Sequence, residues 1–356
     1  MRVSIGILAW NAEHRIARTL EALFDQDIFD PGVSAASAVE VVCVSNGCTD
    51  NTEHAAAQAF ETARARCSHP GLTCRVCPVA EAGKTNAWNR YVHEFSDPEA
   101  DYIVLMDDDI WFTQPDTISL LVLALESDTQ AHCAVDAPIK DIASRTRKTL
   151  FERLSLAMSR LNRSEEPQLC GQLYCARASA IRRIWMPAGL VLDDGFLKPM
   201  FVMDVLSAPK NIARLVRVPD ASHVFEACSA PRELLAHERA LRISGTLAAL
   251  AIEHLRERAD AGENAGEYVA RRNAEDPDWY HALVRKQIAE RGWRVVRATS
   301  WRLRRLREFA PLDALRFLPI ALIGFLAEVV IVQYANLTVP RDGRNLSWPL
   351  LYRGHG

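Results

Sequence analysis

Five carboxylates in two clusters carry the most evident chemistry in this sequence. Asp107, Asp108 and Asp109 stand side by side, and Asp193 and Asp194 form a second pair downstream. Three adjacent carboxylates repel one another unless positive charge sits among them. Hard oxygen ligands favour Mg2+ or Mn2+, and such ions bridge one or two carboxylates to substrate phosphates. Taken alone, the triplet reads first as an acidic turn capping the next helix, and only its company favours the metal site. The run before it, Tyr102-Ile-Val-Leu-Met106, is short, apolar and bounded by charge, as in a strand buried on both faces of a parallel sheet. The carboxyl ends of such strands are where open α/β sheets bind ligands.

The elements that must position these groups follow in order. Val3 to Ala9 is a central parallel strand, and Asn11 stands where a helix N-cap is wanted. Ile16, Leu20, Leu23 and Phe24 then repeat at helical spacing. Glu40-Val-Val-Cys-Val44 is a second strand that ends in the turn cluster Ser45 to Thr52, with an Ala-rich helix after it. A third strand, Thr73 to Val79, leads through Glu81-Ala-Gly-Lys84 into another helix, and the strand with the triplet is the fourth. This β-α-β-α-β-α-β order predicts an α/β fold whose mostly parallel sheet carries helices on both faces. Beyond it, a helix with Pro115 in its first turn runs to about Leu125, and Cys133 to Ile139 is a strand. Arg145 to Leu161 is an amphipathic helix burying Leu150, Leu154, Met158 and Leu161. Gly171 to Ala176 is a strand, Met186 to Gly195 a loop delivering Asp193 and Asp194, and Arg214 to Val218 a short strand. A long helix runs from Pro231 to about Arg258.

Length and composition set bounds on function. With 356 residues, 49% of them hydrophobic, the chain can bury a full core in one large domain plus an appendage. A net charge of -3 excludes a general nucleic-acid binder, which needs a basic surface. Nine scattered cysteines fit a reducing compartment. Cys74 and Cys77 have the spacing of half a zinc site, but strand alternation explains them and no matching pair exists. The N-terminal apolar run is too short and interrupted for a secretory signal.

Four motifs, in order, resemble those of the family-2 glycosyltransferases, nucleotide-sugar-dependent enzymes of the GT-A (Rossmann-like) fold. Ala9-Trp-Asn-Ala-Glu13 resembles the first-strand motif that lines the nucleotide pocket. Ser45-Asn-Gly-Cys-Thr-Asp50 resembles the second-strand motif, with Asn46 where the family often has Asp. Gly83-Lys84 with Ala87 and Asn89 resembles the stretch that approaches the donor, and Asp107-Asp-Asp109 the Asp-x-Asp metal motif. The resemblance implies an inverting, metal-dependent transfer of a sugar from a nucleotide diphosphate, a UDP-sugar first among them, to an acceptor hydroxyl. Ala9, Asn11, Glu13, Asn46, Lys84, Asp107 and Asp108 would bind the donor, and Asp107 and Asp109 the Mg2+ or Mn2+. Leu192-Asp-Asp-Gly-Phe-Leu197 resembles the family's acidic pair, with Asp193 in place of the usual Glu. It makes Asp194 the general base. Arg239-Ala-Leu-Arg-Ile243 falls where processive relatives carry Gln-x-x-Arg-Trp, and only Arg242 matches; it would steady the leaving diphosphate.

Each of these residues also has an ordinary explanation. Asn46 can read the edge of a uracil-like base or simply close a turn. Glu13 can bond the nucleotide or favour its helix's first turn. Lys84 can meet a diphosphate or start a helix, and Arg242 can be a solvated helix arginine. Residues 1–258 are expected to form the catalytic domain, with 1–110 as its nucleotide-binding half and 111–258 as its acceptor half. A linker at 259–266 would precede a basic helical region, 267–356. That region interleaves Trp293, Trp301, Leu303, Leu306 and Phe309 with Arg294, Arg297, Arg302, Arg304, Arg305 and Arg307, which suits an anionic membrane surface. The hydrophobic segment 317–335 follows, broken by Glu328, and can span, lie in the interface or bury itself at a dimer contact. The expected place is the cytoplasmic face of the inner (plasma) membrane, peripheral or single-span, acting on a glycan or lipid-linked acceptor in glycan synthesis. A processive polysaccharide synthase would need several spans. The alternatives are an inactive membrane-bound scaffold and a sugar-phosphate nucleotidyltransferase, which would open with a Gly-rich phosphate loop.

Overall fold

The computed structural model describes residues 1–162, 164–191, 193–228, 230–292, 296 and 301–342. Its first half alternates as expected: β1 Arg2–Ala9, α1 Ile16–Phe24, β2 Ala38–Asn46, α2 Thr52–Arg66, β3 Leu72–Val79, α3 Lys84–Arg90 and β4 Tyr102–Asp107. Then come β5 Ile110–Phe112, α4 Thr117–Ser127, β6 Cys133–Val135, β7 Ile139–Lys140, α5 Leu150–Asn162, β8 Leu173–Arg177, α6 Ala178–Ile181 and α7 Asp194–Val202. The chain continues through β9 Leu215–Arg217, β10 His223–Phe225, α8 Pro231–Asp260, α9 Ala265–Glu275 and α10 Trp279–Arg291. It closes with α11 Trp301–Arg305 and α12 Pro311–Asp342.

The main sheet has seven strands in the order β3-β2-β1-β4-β8-β6-β9. β1 to β4 are mutually parallel, β8 alone runs antiparallel to its neighbours β4 and β6, and β9 is parallel to β6. A second sheet, β5-β10-β7, lies beyond the end of β4. The central strands are mostly apolar because both faces are covered. Ile5, Ile7, Val104 and Met106 pack with Ile16, Leu20, Leu121 and Leu125 on one face. Ile103 and Leu105 pack with Trp88, Tyr91, Phe196 and the inner residues of α8, α9 and α10 on the other. Gly6 is required here: a Cβ on it would come within 2.3 Å of the Tyr91 ring.

Several elements depart from the sequence reading. Asn11 is no N-cap, since α1 begins at Ile16 and Asn11 itself has φ +46°. Pro115 precedes α4 rather than sitting in its first turn, and its carbonyl accepts from Asp27 N. The strand expected at 133–139 divides between the two sheets, because Asp136 and Pro138 interrupt it. The helix expected from Arg145 starts at Leu150, which is 84% exposed rather than buried. Residues 259–266 hold the end of α8, a turn and the start of α9, whose Asn264 cap accepts from Gly266 and Glu267. Tyr268, Val269, Trp279 and Tyr280 then rejoin the core that α8 helps to form. Of the basic stretch, Trp293, Arg294 and Arg297 lie outside the described residues, as does Leu192 of the acidic-pair motif.

Candidate active site

The loops after β1 and β2 lie side by side and are laced together. Asn11 Oδ1 accepts from Thr49 N (2.8 Å), and Glu13 accepts from Asn51 N and Nδ2 (3.2 and 3.1 Å). Asp50 accepts in return from Glu13 N, and Thr52 Oγ1 from Ala12 N. The Asn51 contacts hold the Glu13 carboxyl below its usual range. Ala9 is buried at the end of β1. Asn46, the last residue of β2, is buried and accepts from Gly83 N at 2.8 Å, which ties β2 to the start of α3. The turn that follows β2 needs Gly47 at φ +59°, where a Cβ would strike Ala82 at 2.6 Å.

Lys84 opens α3 and aims its ammonium at the carboxylates. Its Nζ is 2.8 Å from Asp107 Oδ1, 3.6 Å from Asp193 Oδ1 and 3.4 Å from the Gly171 carbonyl. Burial works against its charge, but Asp107 and Asp193 outweigh that and raise its pKa. Asp193 is buried just before α7, so close to Gly171 that a Cβ there would lie 2.5 Å from its Oδ1. Asp194 begins α7 and accepts from Gly195 N at 2.6 Å. Burial pushes the Asp194 carboxyl up to about 6; Asp193 adds to this, while Gly195 N–H and Lys84 oppose it. Asp107 also rises to about 6 through burial, against the pull of Lys84, with Asp109 and Asp193 adding.

The triplet does not act as one unit. Asp107 ends β4 and faces Lys84, while Asp109 is exposed on the turn into β5. Asp108 turns the other way, is buried, and is taken up by Arg15 Nε at 2.9 Å and Trp10 N at 2.9 Å. Its carboxylate thereby ties α1 to the end of β4. Arg242 Nη2 lies 3.4 Å from Glu328 Oε2 on α12.

The sequence reading missed a buried relay behind Asp107. His223 Nδ1 is 2.6 Å from Asp136 Oδ2, and His223 Nε2 is 3.3 Å from Gln172 Oε1. The Gln172 carbonyl accepts from Asp107 N. Nothing in local spacing links Gln172 before β8, His223 on β10 and Asp136 after β6. Among the described residues no three His, Cys, Asp or Glu side chains converge on a metal-sized point. Asp107 and Asp109 fit a hard cation that takes one or two protein carboxylates and completes its shell with phosphate and water.

The mostly parallel α/β sheet with acidic side chains at its strand ends agrees with the resemblance read from the sequence, and the chain belongs to glycosyl transferase family 2. That family's model matches residues 4–184, just over half of the chain. Among solved structures, a mannosyltransferase from Pyrobaculum calidifontis in complex with GDP-Man and Mn2+ shares the fold. It is 18% identical with a TM-score of 0.51, over 95% of this chain and 86% of that one. Glucosyl-3-phosphoglycerate synthase from Mycobacterium tuberculosis, in complex with Mn2+, UDP-Glc and phosphoglyceric acid, is 16% identical. Its TM-score is 0.45, over 68% of this chain and 77% of that one. A mycobacterial protein is 20% identical at a TM-score of 0.45, over 68% and 72% of the two chains. No curated protein matches the chain.

Proposed function

We propose that this glycosyltransferase moves a sugar with inversion from a nucleotide diphosphate, a UDP-sugar first among the candidates, to an acceptor hydroxyl on a glycan or lipid-linked molecule. The observation that carries the reading is the meeting of Asp107, Asp193 and Asp194 around Lys84 at the carboxyl end of the sheet. Four nearby carboxylates, counting Asp109, exceed what one ammonium neutralises, so the site favours a further cation and a phosphate-bearing ligand. Asp107 and Asp109 would hold Mg2+ or Mn2+, which when bound neutralises the charge growing on the diphosphate. Lys84 contributes a second positive charge on the same side.

Asp194 is the general base. The acceptor oxygen attacks the anomeric carbon as the bond to the diphosphate breaks, and its proton passes to the Asp194 carboxylate. A base with a pKa near 6 is ionised at neutral pH yet more basic than an ordinary aspartate. Buried Asp193 fixes the start of α7 through its contact with Lys84 and its fit against Gly171. Asn11, Glu13 and Asn46 shape the nucleotide pocket through the bonds that join the β1 and β2 loops. The deciding experiment incubates the protein with a panel of nucleotide sugars, with Mg2+, Mn2+ or chelator, and measures free nucleoside diphosphate. Slow metal-dependent hydrolysis of one donor is expected. Silence and absence of binding across the panel would favour a scaffold.

A further inference from the structure

The transfer chemistry leaves α12 unexplained, and its two faces differ sharply. Ala321, Gly324, Glu328, Val332 and Ala335, spaced three or four apart, are buried. Glu328 meets Arg242 of α8, and the Asn336 amide exchanges two 2.8 Å hydrogen bonds with the Val296 backbone. Arg239, also on α8, lies 5.1 Å from the Tyr334 ring centroid. The opposite face is apolar and bare: Leu315, Leu322, Leu326, Val330 and Leu337 are between 44% and 67% exposed. On the approach to it, Arg304, Arg307 and Arg316 are exposed.

We propose that α12 lies flat in the headgroup region of an anionic bilayer, outer face down, and seats the catalytic domain on the membrane without crossing it. Length and composition alone allow a span, since residues 311–337 are long and apolar enough. The packing argues otherwise. A spanning helix is surrounded by lipid or by other spanning helices, whereas α12 runs along α5 and α8 of the soluble domain. Crossing the bilayer would either drag the charged faces of those helices into hydrocarbon or strip Glu328 of Arg242. An interfacial helix needs neither: one face stays on the protein, the other enters the acyl boundary, and arginines meet anionic headgroups.

This seating also bears on the site. Arg242 is one helical turn from Gly245 on α8, and Gly245 and Ala248 lie against Gly195, next to Asp194. α8 thus joins the seat of α12 to the base, so a lipid-linked acceptor is met by the body that the membrane holds. That last consequence rests on the transferase reading, but the docking itself does not.

The test is flotation of the full chain, purified without detergent, with vesicles of phosphatidylcholine alone or mixed with phosphatidylglycerol. Nucleoside diphosphate release is measured in the same samples without vesicles. Anionic vesicles should carry the protein, and high salt or zwitterionic lipid should weaken binding about tenfold or more. L322E/L326E should abolish flotation while leaving Tm and nucleotide release unchanged, because neither side chain packs inside the protein. R304E/R307E should remove the salt-sensitive part. Indifference to every vesicle, or a dimer closed over this face, would overturn the proposal. So would a protein that only detergent extracts, since that behaviour belongs to a span. Loss of nucleotide release with flotation intact would instead refute the transferase reading alone.

Discussion

Replacing Asp194 by Asn separates catalysis from stability. The substitution keeps the shape and the oxygen that accepts from Gly195 N, and removes only the charge and the proton-accepting capacity. As the general base is lost, transfer should fall about 10²–10⁴-fold while donor binding persists. Stability should move the other way. The Asp194 carboxyl is raised from 3.8 to about 6 on folding, chiefly by burial. A raised acid destabilises the fold above its unfolded value, and that loss grows as pH climbs through about 6. The two values bound the effect at about 3 kcal/mol at neutral pH, some of it relieved by solvent at this half-buried position. D194N should therefore melt a few degrees higher than wild type at about pH 7.5, and the gap should nearly close at about pH 4. Paired thermal melts and product assays over that range test both halves. A variant that transfers at the normal rate, or melts lower at neutral pH, would refute the assignment of both role and environment.

The same pKa predicts that wild-type kcat/KM rises with pH and levels above about 6, read from a pH–rate profile with donor saturating. D109N should weaken donor binding about tenfold in the presence of Mn2+ and little in its absence, by titration calorimetry. Arg15→Ala strands the buried Asp108 carboxylate and should lower stability by about 2 kcal/mol, discounted because Arg15 is itself 45% exposed, by denaturant melts. Gly171→Ala would push against Asp193 and should cost about 1–3 kcal/mol, with a fall in kcat larger than in donor affinity.

The parallel half of the fold was legible because buried parallel strands advertise themselves. β4 is an unbroken apolar run, β1 and β2 are broken only by Ser4 and Glu40 before their ends, and the polar residues that close them mark the loops where ligands meet the sheet. The acidic clusters were legible by type. What the sequence hid was partnership across distance. Asp108 looks like its two neighbours, yet its partner Arg15 lies 93 residues away, and that contact turns it from Lys84. Asn11 looks like a cap because local rules favour it there, but Thr49 from another loop claims its oxygen. His223 carries no local signal at all; only the fold sets it against Asp136 and Gln172. Arg242 fitted a motif by spacing, while its partner Glu328 looked like a flaw in an apolar helix. Each explains the other once α8 and α12 lie together.

A sequence selected for stability alone would not gather Asp107, Asp193 and Asp194 beside one lysine. Each carboxylate loses hydration there, and two of them rise to about 6, so the cluster opposes folding rather than driving it. The chain nonetheless invests in holding it. Gly171 gives up a side chain to admit Asp193, and the Asp136–His223–Gln172 relay braces the strand segment that meets Asp107. The turn after β2 takes a glycine at 47 because a Cβ there would strike Ala82, two residues before Lys84. Local cost upheld by surrounding structure marks a site whose charge is balanced only when its ligands arrive. The contrast with Asp108 sharpens the point: the carboxylate of the triplet that turns away from Lys84 is taken up by Arg15 and the Trp10 N–H.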